Sequence, residues 1–403
     1  MGKAAIRIGT AVAALALAGT GVPAVGASPG ASPGASPGAS PGATGATGAS
    51  SAAASPRTVV PLDGPRGVDA LGDGRTLVTE TGGDFSLVVE RRHKRARAIP
   101  LGNLATDFPP AIAKGRHGSI FLLTGASGPP PEERASVLRG AAAPAPATTL
   151  FKWKRGWPAP RPVADIGAYQ LTDPDPWDQE GHPAESNPFG LAALDDGTVL
   201  VADAAGNDLL RVWPRTGRIR TVARLMPRTV PVPAGLPDVP PEMGGPLPPA
   251  GTPIVSEAVA TSVTVGADGA WYVGELRGFP ATPGTSQVWR IKPGAKNATC
   301  DPAHPRRGAC RRHADGFTSV TDLAAGAKGI YVLELSKRSW FAFEMGLPGA
   351  EEGGLFLVRP RGTRPRVREL AAGRLTNPGG VDVSDHVYVA GPLFGPGALL
   401  RLR

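Results

Sequence analysis

Six stretches of this chain can be laid over one another, and that repeat limits the fold more than any other feature. The small residues Gly67, Ala111, Gly190, Ser262, Thr321 and Gly380 each open a short apolar run. Thirteen residues after the first five stand Glu80, Thr124, Asp203, Glu275 and Glu334. Seven residues after the first four stands a turn glycine: Gly74, Gly118, Gly197 and Gly269. In the fifth unit the glycine shifts by one, to Gly329, and the sixth, GVDVSDHVYVA, is three residues shorter in its turn. A third run follows each pair: SLVVE, TLFKWK, LLRVW, QVWRI, GLFLVRP and ALLRLR. The clearest unit is 187–219, NPFGLAALDDGTVLVADAAGNDLLRVWPRTGRI. Its Asp-Asp-Gly before a β-branched run is a hairpin signal, because glycine takes the positive φ of a tight turn.

Repeated short strands separated by turns predict an all-β chain, a six-bladed β-propeller. High glycine (55) and proline (45) with only 5% aromatics fit many turns and no long helices. Small residues opening each unit suit the innermost strand, where six strands crowd around an axis. The last unit ends at Arg403 with three strands, and RTVVPL at 57–62 reads as a lone strand. It is expected to join the last blade as its fourth strand and close the ring.

The chain divides into three. Residues 1–27 have the pattern of a secretory signal peptide: Lys3 and Arg7, an apolar stretch over 8–18, and small residues before a cut after Ala27. Residues 28–56, where ASPG is repeated four times counting from Ala27, form a low-complexity Ala/Ser/Pro/Gly linker expected to stay disordered. The propeller occupies 57–403. The mature protein is expected to be secreted and monomeric, with no transmembrane segment. Cys300 and Cys310 then predict one disulfide, closing the loop CDPAHPRRGAC.

The formal net charge is +9, with basic runs at 91–97 (RRHKRAR) and 306–312 (RRGACRR). A nucleic-acid surface needs basic residues gathered with aromatic stacking partners. The two runs read instead as solvated loops, and no nucleic-acid partner is expected.

In a propeller blade the start of the inner strand and the end of the second lie on one face. Glu80, Asp203, Glu275 and Glu334 are therefore expected around one mouth of the central channel. Asn187 and Asn377, each in an Asn-Pro pair, should lie near them, as should Arg66 and Glu185. Carboxylates and amide oxygens so placed could hold a hard cation such as Ca²⁺, or hydrogen-bond a polyol. They could equally pair with loop arginines or cap turns, and Asn-Pro before glycine is itself a turn former. His182 sits between carboxylates in sequence, and Trp177 and Trp340 lie in loops where they could stack on a ligand. There is no GxSxG elbow, HExxH, P-loop or dinucleotide fingerprint.

SNPFGLAALDDGTVLVADAAGNDLLRV (186–212), VATSVTVGADGAWYVGELRGFPATPGTSQVWRI (259–291), GFTSVTDLAAGAKGIYVLEL (316–335) and LTNPGGVDV (375–383) resemble the ScyD/ScyE family, exported bacterial propellers with NHL-like repeats. The resemblance runs in order over 57–403. It implies the fold and export, and brings no catalytic residue. Where that family has an acid, the second unit has Thr124. The resulting expectation is a non-enzymatic protein that binds a polar ligand, a polysaccharide or a cell-surface partner. The alternative is a Ca²⁺-dependent hydrolase or lactonase using the acidic mouth. A third reading is a structural envelope protein.

Overall fold

The structure, a computed structural model, describes residues 55–126, 146–237, 246–360 and 365–402. The signal-peptide and most of the linker expectations fall outside them. Within them, six four-stranded antiparallel blades form a propeller, and the third blade carries one further strand at its outer edge. The inner strands are Val68–Gly72, Ala111–Lys114, Pro188–Ala193, Ala260–Val265, Val320–Gly326 and Gly380–Val383. Among the described residues no helix is long and apolar enough to cross a membrane.

Local sequence explains each blade. In the third, Val199–Asp203 is buried along its whole length, and it is joined to the inner strand by the Asp195-Asp196-Gly197 turn. All five turn glycines of the repeat take positive φ, from 64° at Gly74 to 136° at Gly329, a region closed to most residues with a Cβ. The small residues opening each unit are small because neighbouring blades touch there. A Cβ on Gly190 would stand 2.5 Å from the Thr261 carbonyl oxygen of the next blade.

The apolar core is not a single body. It consists of wedges, one at each junction between blades. Leu200, Leu209 and Val222 of blade three meet Trp271, Trp289 and Ile291 of blade four. Corresponding clusters fill the other five junctions. Each sheet thus buries both faces against its neighbours. The wedge between the last and first blades holds Leu62, Tyr388 and Leu399 against Val68, Val78 and Val88.

Ring closure follows the sequence expectation. Arg57–Asp63 pairs antiparallel with Pro396–Leu402, from Arg57 opposite Arg401 to Asp63 opposite Pro396. Cys300 and Cys310 are bonded, ten residues apart in sequence. The bond does more than close a loop. Cys300 ends a short strand that pairs in parallel with Arg218–Leu225, the fourth strand of blade three. Cys310 opens the fourth strand of blade four. The disulfide therefore staples two blades, and both sulfurs lie within their shared apolar wedge.

Two outcomes follow for stability. Deleting 57–62 removes the outer strand of the last blade and the Leu62 side chain from its wedge. The melting temperature should fall by about 5 °C or more; an unchanged melting curve would show that the ring does not depend on this strand. Replacing both cysteines by serine should cost about 3 kcal/mol, the loop-closure value for a bridge of this span, read as a lower urea midpoint.

Candidate functional site

The expected shared face is real. Asp203 lies opposite Pro188, Glu275 opposite Ala260 and Glu334 opposite Val320, so second-strand ends stand beside inner-strand beginnings. What the carboxylates do there depends on the blade. Asp203 is fully buried. Its Oδ1 accepts from the Asn187 amide (2.7 Å) and the Gly206 amide (3.2 Å). Its Oδ2 accepts from Ser186 Oγ (2.6 Å) and Gln170 Nε2 (3.2 Å). Glu334 Oε1 accepts from the Thr318 amide at 2.7 Å, and Glu80 Oε1 from the Asp63 amide at 2.8 Å. In two blades, then, the acid clasps the backbone that enters the inner strand of its own blade, and Glu80 of blade one holds the end of the ring-closing strand Arg57–Asp63. Glu275 turns elsewhere, to the Arg277 guanidinium and the Trp289 indole N–H, inside the core. In blade two Thr124 Oγ1 accepts from the Thr149 amide at 3.0 Å. Among the described residues no group of three or more His, Cys, Asp or Glu side chains stands as a metal ion would require.

The two asparagines tie blades together. Asn187 Oδ1 accepts from the Ala126 amide at 2.9 Å, linking blades two and three. Asn377, with φ of 32°, donates from Nδ2 to the Leu335 carbonyl oxygen (3.3 Å) and from its own amide to Glu351 O (2.9 Å).

The mouth itself is plugged. Arg66 crosses from blade one, donates to Pro109 O at 3.0 Å and to Phe189 O, and lies over the Phe189 ring with 3.9 Å to its centroid. Phe108 covers it at 5.2 Å. Burial lowers the Arg66 pKa to about 10, with the Asp322 charge opposing. Above this guanidinium sits an apolar layer of Phe189, Val259, Leu276, Leu335, Trp340, Phe341 and Leu393. Trp340, read from sequence as a loop residue free to stack on a ligand, is 1% exposed. Ser339 caps a short helix, Trp340–Glu344, that folds over the mouth and fixes the indole N–H on Arg277 O at 2.8 Å.

Behind the plug the channel encloses about 290 Å³, lined by Arg66, Asp69, Lys114, Thr321, Asp322 and Asp382 among others. Its three aspartates were not singled out by the repeat. Each accepts from an inner-strand amide of the following blade. Asp69 takes the Lys114 amide, Asp322 the Val381 amide (2.8 Å) and Asp382 the Ala70 amide (2.6 Å). Burial raises all three, Asp322 to about 6, and Asp382 goes well above the usual carboxylate range because Asp69 adds its charge. A signal for them existed: VDALG, VTDLAAG and GVDV each carry one aspartate in an otherwise uncharged inner run.

Glu185 is set apart from the plug, in the loop 172–185. There it lies near Glu180 and Asp178, and Glu180 in turn neighbours Glu257. Asn207 Nδ2 donates to Asp175 Oδ2 (2.9 Å) and Glu257 Oε2 (3.2 Å), and the Gln179 amide donates to Glu257 Oε1 (2.7 Å). Burial, then the charges of Glu257, Glu185 and Asp178, push Glu180 up to about 8. Burial also raises Glu185, with Asp178 and Asp203 adding to the rise and His182 opposing it. The structure thus brings Glu185 within electrostatic range of Asp203, at the exposed edge of an acidic cluster. Its other members, Glu180 and Glu257, lie outside the repeat register and escaped the alignment for that reason.

The clasp has a pH signature. Burial pushes Glu334 up to about 8, with the Glu369 charge adding to it and Lys337 opposing. Between roughly pH 5 and 8 the folded chain keeps a proton that the unfolded chain has released, so stability should fall as pH rises through that window and level off above it. Glu334→Gln retains the acceptor for Thr318 and loses the proton. Its stability should decline more shallowly, by up to ~1.4 kcal/mol per pH unit. Parallel urea-midpoint profiles for the two proteins would mean that Glu334 is ionised in the fold.

No family model matches this chain, and no curated protein matches it in sequence. Solved structures share its architecture. The PQQ domain of a pyranose dehydrogenase from Coprinopsis cinerea is 10% identical, with 85% of this chain and 94% of that one covered and a TM-score of 0.50. A PQQ-bound aldose sugar dehydrogenase from Streptomyces coelicolor is 13% identical, with 86% and 97% covered and a TM-score of 0.47. A catalytically inactive virginiamycin B lyase from Staphylococcus aureus, crystallised with quinupristin, is 13% identical, with 85% and 96% covered and a TM-score of 0.41. At such identities what is shared is the fold, a β-propeller.

Proposed function

We propose that this protein is an exported propeller of the ScyD/ScyE type that binds a hydroxyl-rich ligand, such as a neutral polysaccharide of a cell surface, without transforming it. The observation that carries this reading is the acidic cluster of Glu180, Glu185 and Glu257, beside a channel mouth closed by Arg66. A carboxyl held near a pKa of 8 is largely protonated at neutral pH and donates a hydrogen bond. The oxygens of neighbouring carboxyl groups accept, as Glu257 does from Gln179 and Asn207. That pairing of donors and acceptors on fixed side chains suits sugar hydroxyls. Export is supported by the pattern of residues 1–27 and by the Cys300–Cys310 bond, which favours an oxidising compartment. The Ca²⁺-dependent hydrolase reading needs Glu80, Asp203, Glu275 and Glu334 free at an open mouth. Their hydrogen bonds to backbone amides and to Arg277 weigh against it.

Calorimetric titration of the full chain with neutral glucan oligosaccharides, with and without millimolar Ca²⁺, tests the reading. Binding is expected that is independent of Ca²⁺ and weakened at least tenfold in Glu180→Gln with Glu185→Gln. Turnover of a lactone that requires Ca²⁺ and is lost in Asp203→Asn would replace it with the hydrolase.

A further inference from the structure

The strand order of a blade sends the turn between its third and fourth strands to the face opposite the plug. In blade one that turn is the basic run 91–96, between Asp84–Val89 and Arg97–Asn103. Beside it lie the first-to-second turns of blades one and six, the start of Arg57–Asp63 and the end of Pro396–Leu402. Together they enclose a groove of about 920 Å³ at the seam where the ring closes. Arg57, Arg91, Arg92, Lys94 and Arg95 line it and are exposed. None of these five forms an ion pair among the described residues.

The acids of the groove are already engaged. Glu90 holds Arg401 at 3.0 Å and the Tyr388 hydroxyl at 2.8 Å. Asp73 is 3.5 Å from Arg75, and Asp385 accepts from the Asp73 amide at 3.0 Å. On the other flank of the same hairpin a second hollow, of about 480 Å³, is lined by Arg91, Lys94, Arg95 and Arg97. One turn therefore presents cations that no carboxylate pairs to two adjoining concavities. Five like charges held together, none of them in an ion pair, repel one another in the free protein, and a polyanion relieves that repulsion.

We propose that this seam is a docking groove for a linear acidic polysaccharide, its carboxylates or sulfates held by the five unpaired cations. The aromatic inventory argues against nucleic acid. The groove's one Tyr, Trp or Phe side chain is Tyr388, 1% exposed with its hydroxyl taken by Glu90, which leaves only the small rings of His93 and His386 for bases to stack on. The proposal concerns the face opposite the acidic cluster and stands independently of the neutral-ligand reading.

Polyglucuronate binding to the full chain, measured across a salt series, tests it. Affinity should fall steeply with ionic strength. Arg91→Ser with Arg92→Ser, Lys94→Ser and Arg95→Ser should lower it at least thirtyfold and flatten the salt dependence, with the melting temperature unchanged. Neutralising Arg306, Arg307 and Arg311 instead should leave affinity within twofold, since those residues belong to the disulfide loop. Equal losses in the two variants would mean that net charge alone drives binding, and the groove would be no site. Tighter binding of single-stranded DNA than of polyglucuronate at equal salt would overturn the choice of partner. The Glu180→Gln, Glu185→Gln variant should bind polyglucuronate normally, so failure of the neutral-ligand reading leaves this result interpretable.

Discussion

A ring of sheets depends on its seam. Each blade here buries its two faces against its neighbours, so no blade has a core of its own. The pairing of Arg57–Asp63 with Pro396–Leu402 joins the two ends of the chain across the last blade. It also positions Leu62 against the first blade, completing the one wedge that chain connectivity alone would leave open. The repeats can be individually short and irregular, with long loops between them, because the seam turns nearest-neighbour contacts into a closed set. The disulfide acts in the same sense at a different junction, where blade four lends a strand to the edge of blade three.

The polar residues near the axis serve that closed set first. Inner strands of adjacent blades approach closely at the axis without forming a continuous hydrogen-bonded ladder, so amides on their edges need acceptors. Asp69, Asp322 and Asp382 supply them across three consecutive junctions and Asn187 does the same where chain enters blade three, whereas Asn377 donates to the Leu335 carbonyl oxygen of the preceding blade. The cost is visible in raised pKa values along the channel, where burial disfavours the charged form. Arg66 provides a counter-charge near Asp322 while its guanidinium packs on Phe189, which seals the channel at that end.

What remains unengaged is divided between the two faces. Glu180 and Glu185 of the loop 172–185 crowd beside the plug, and the basic turn at 91–96 lies on the other side of the disc. A net charge of +9 conceals this separation, because it sums over both faces. Binding surfaces of opposite sign on one rigid disc would let the protein hold unlike partners at once, each on loops that the blades keep in place.

The repeat period alone determined the strand order, the number of blades, the positive-φ turns and the strand that closes the ring, because those depend on spacing along the chain. The cysteine pair was equally legible, since ten residues is a short reach. Which way each aligned carboxylate turns was not. Glu334 clasps Thr318, whereas Glu275, at the same register, meets Arg277 and Trp289. The partners of Asp382 and Asp69 come from other blades, one of them 312 residues away in sequence. The plug needed Arg66 to meet Phe189 across 123 residues. Spacing specifies which residues share a face of one blade. Only the packing of blade on blade decides whether a charged group there meets an amide, a ring or solvent, because that choice is made by atoms the local sequence does not contain.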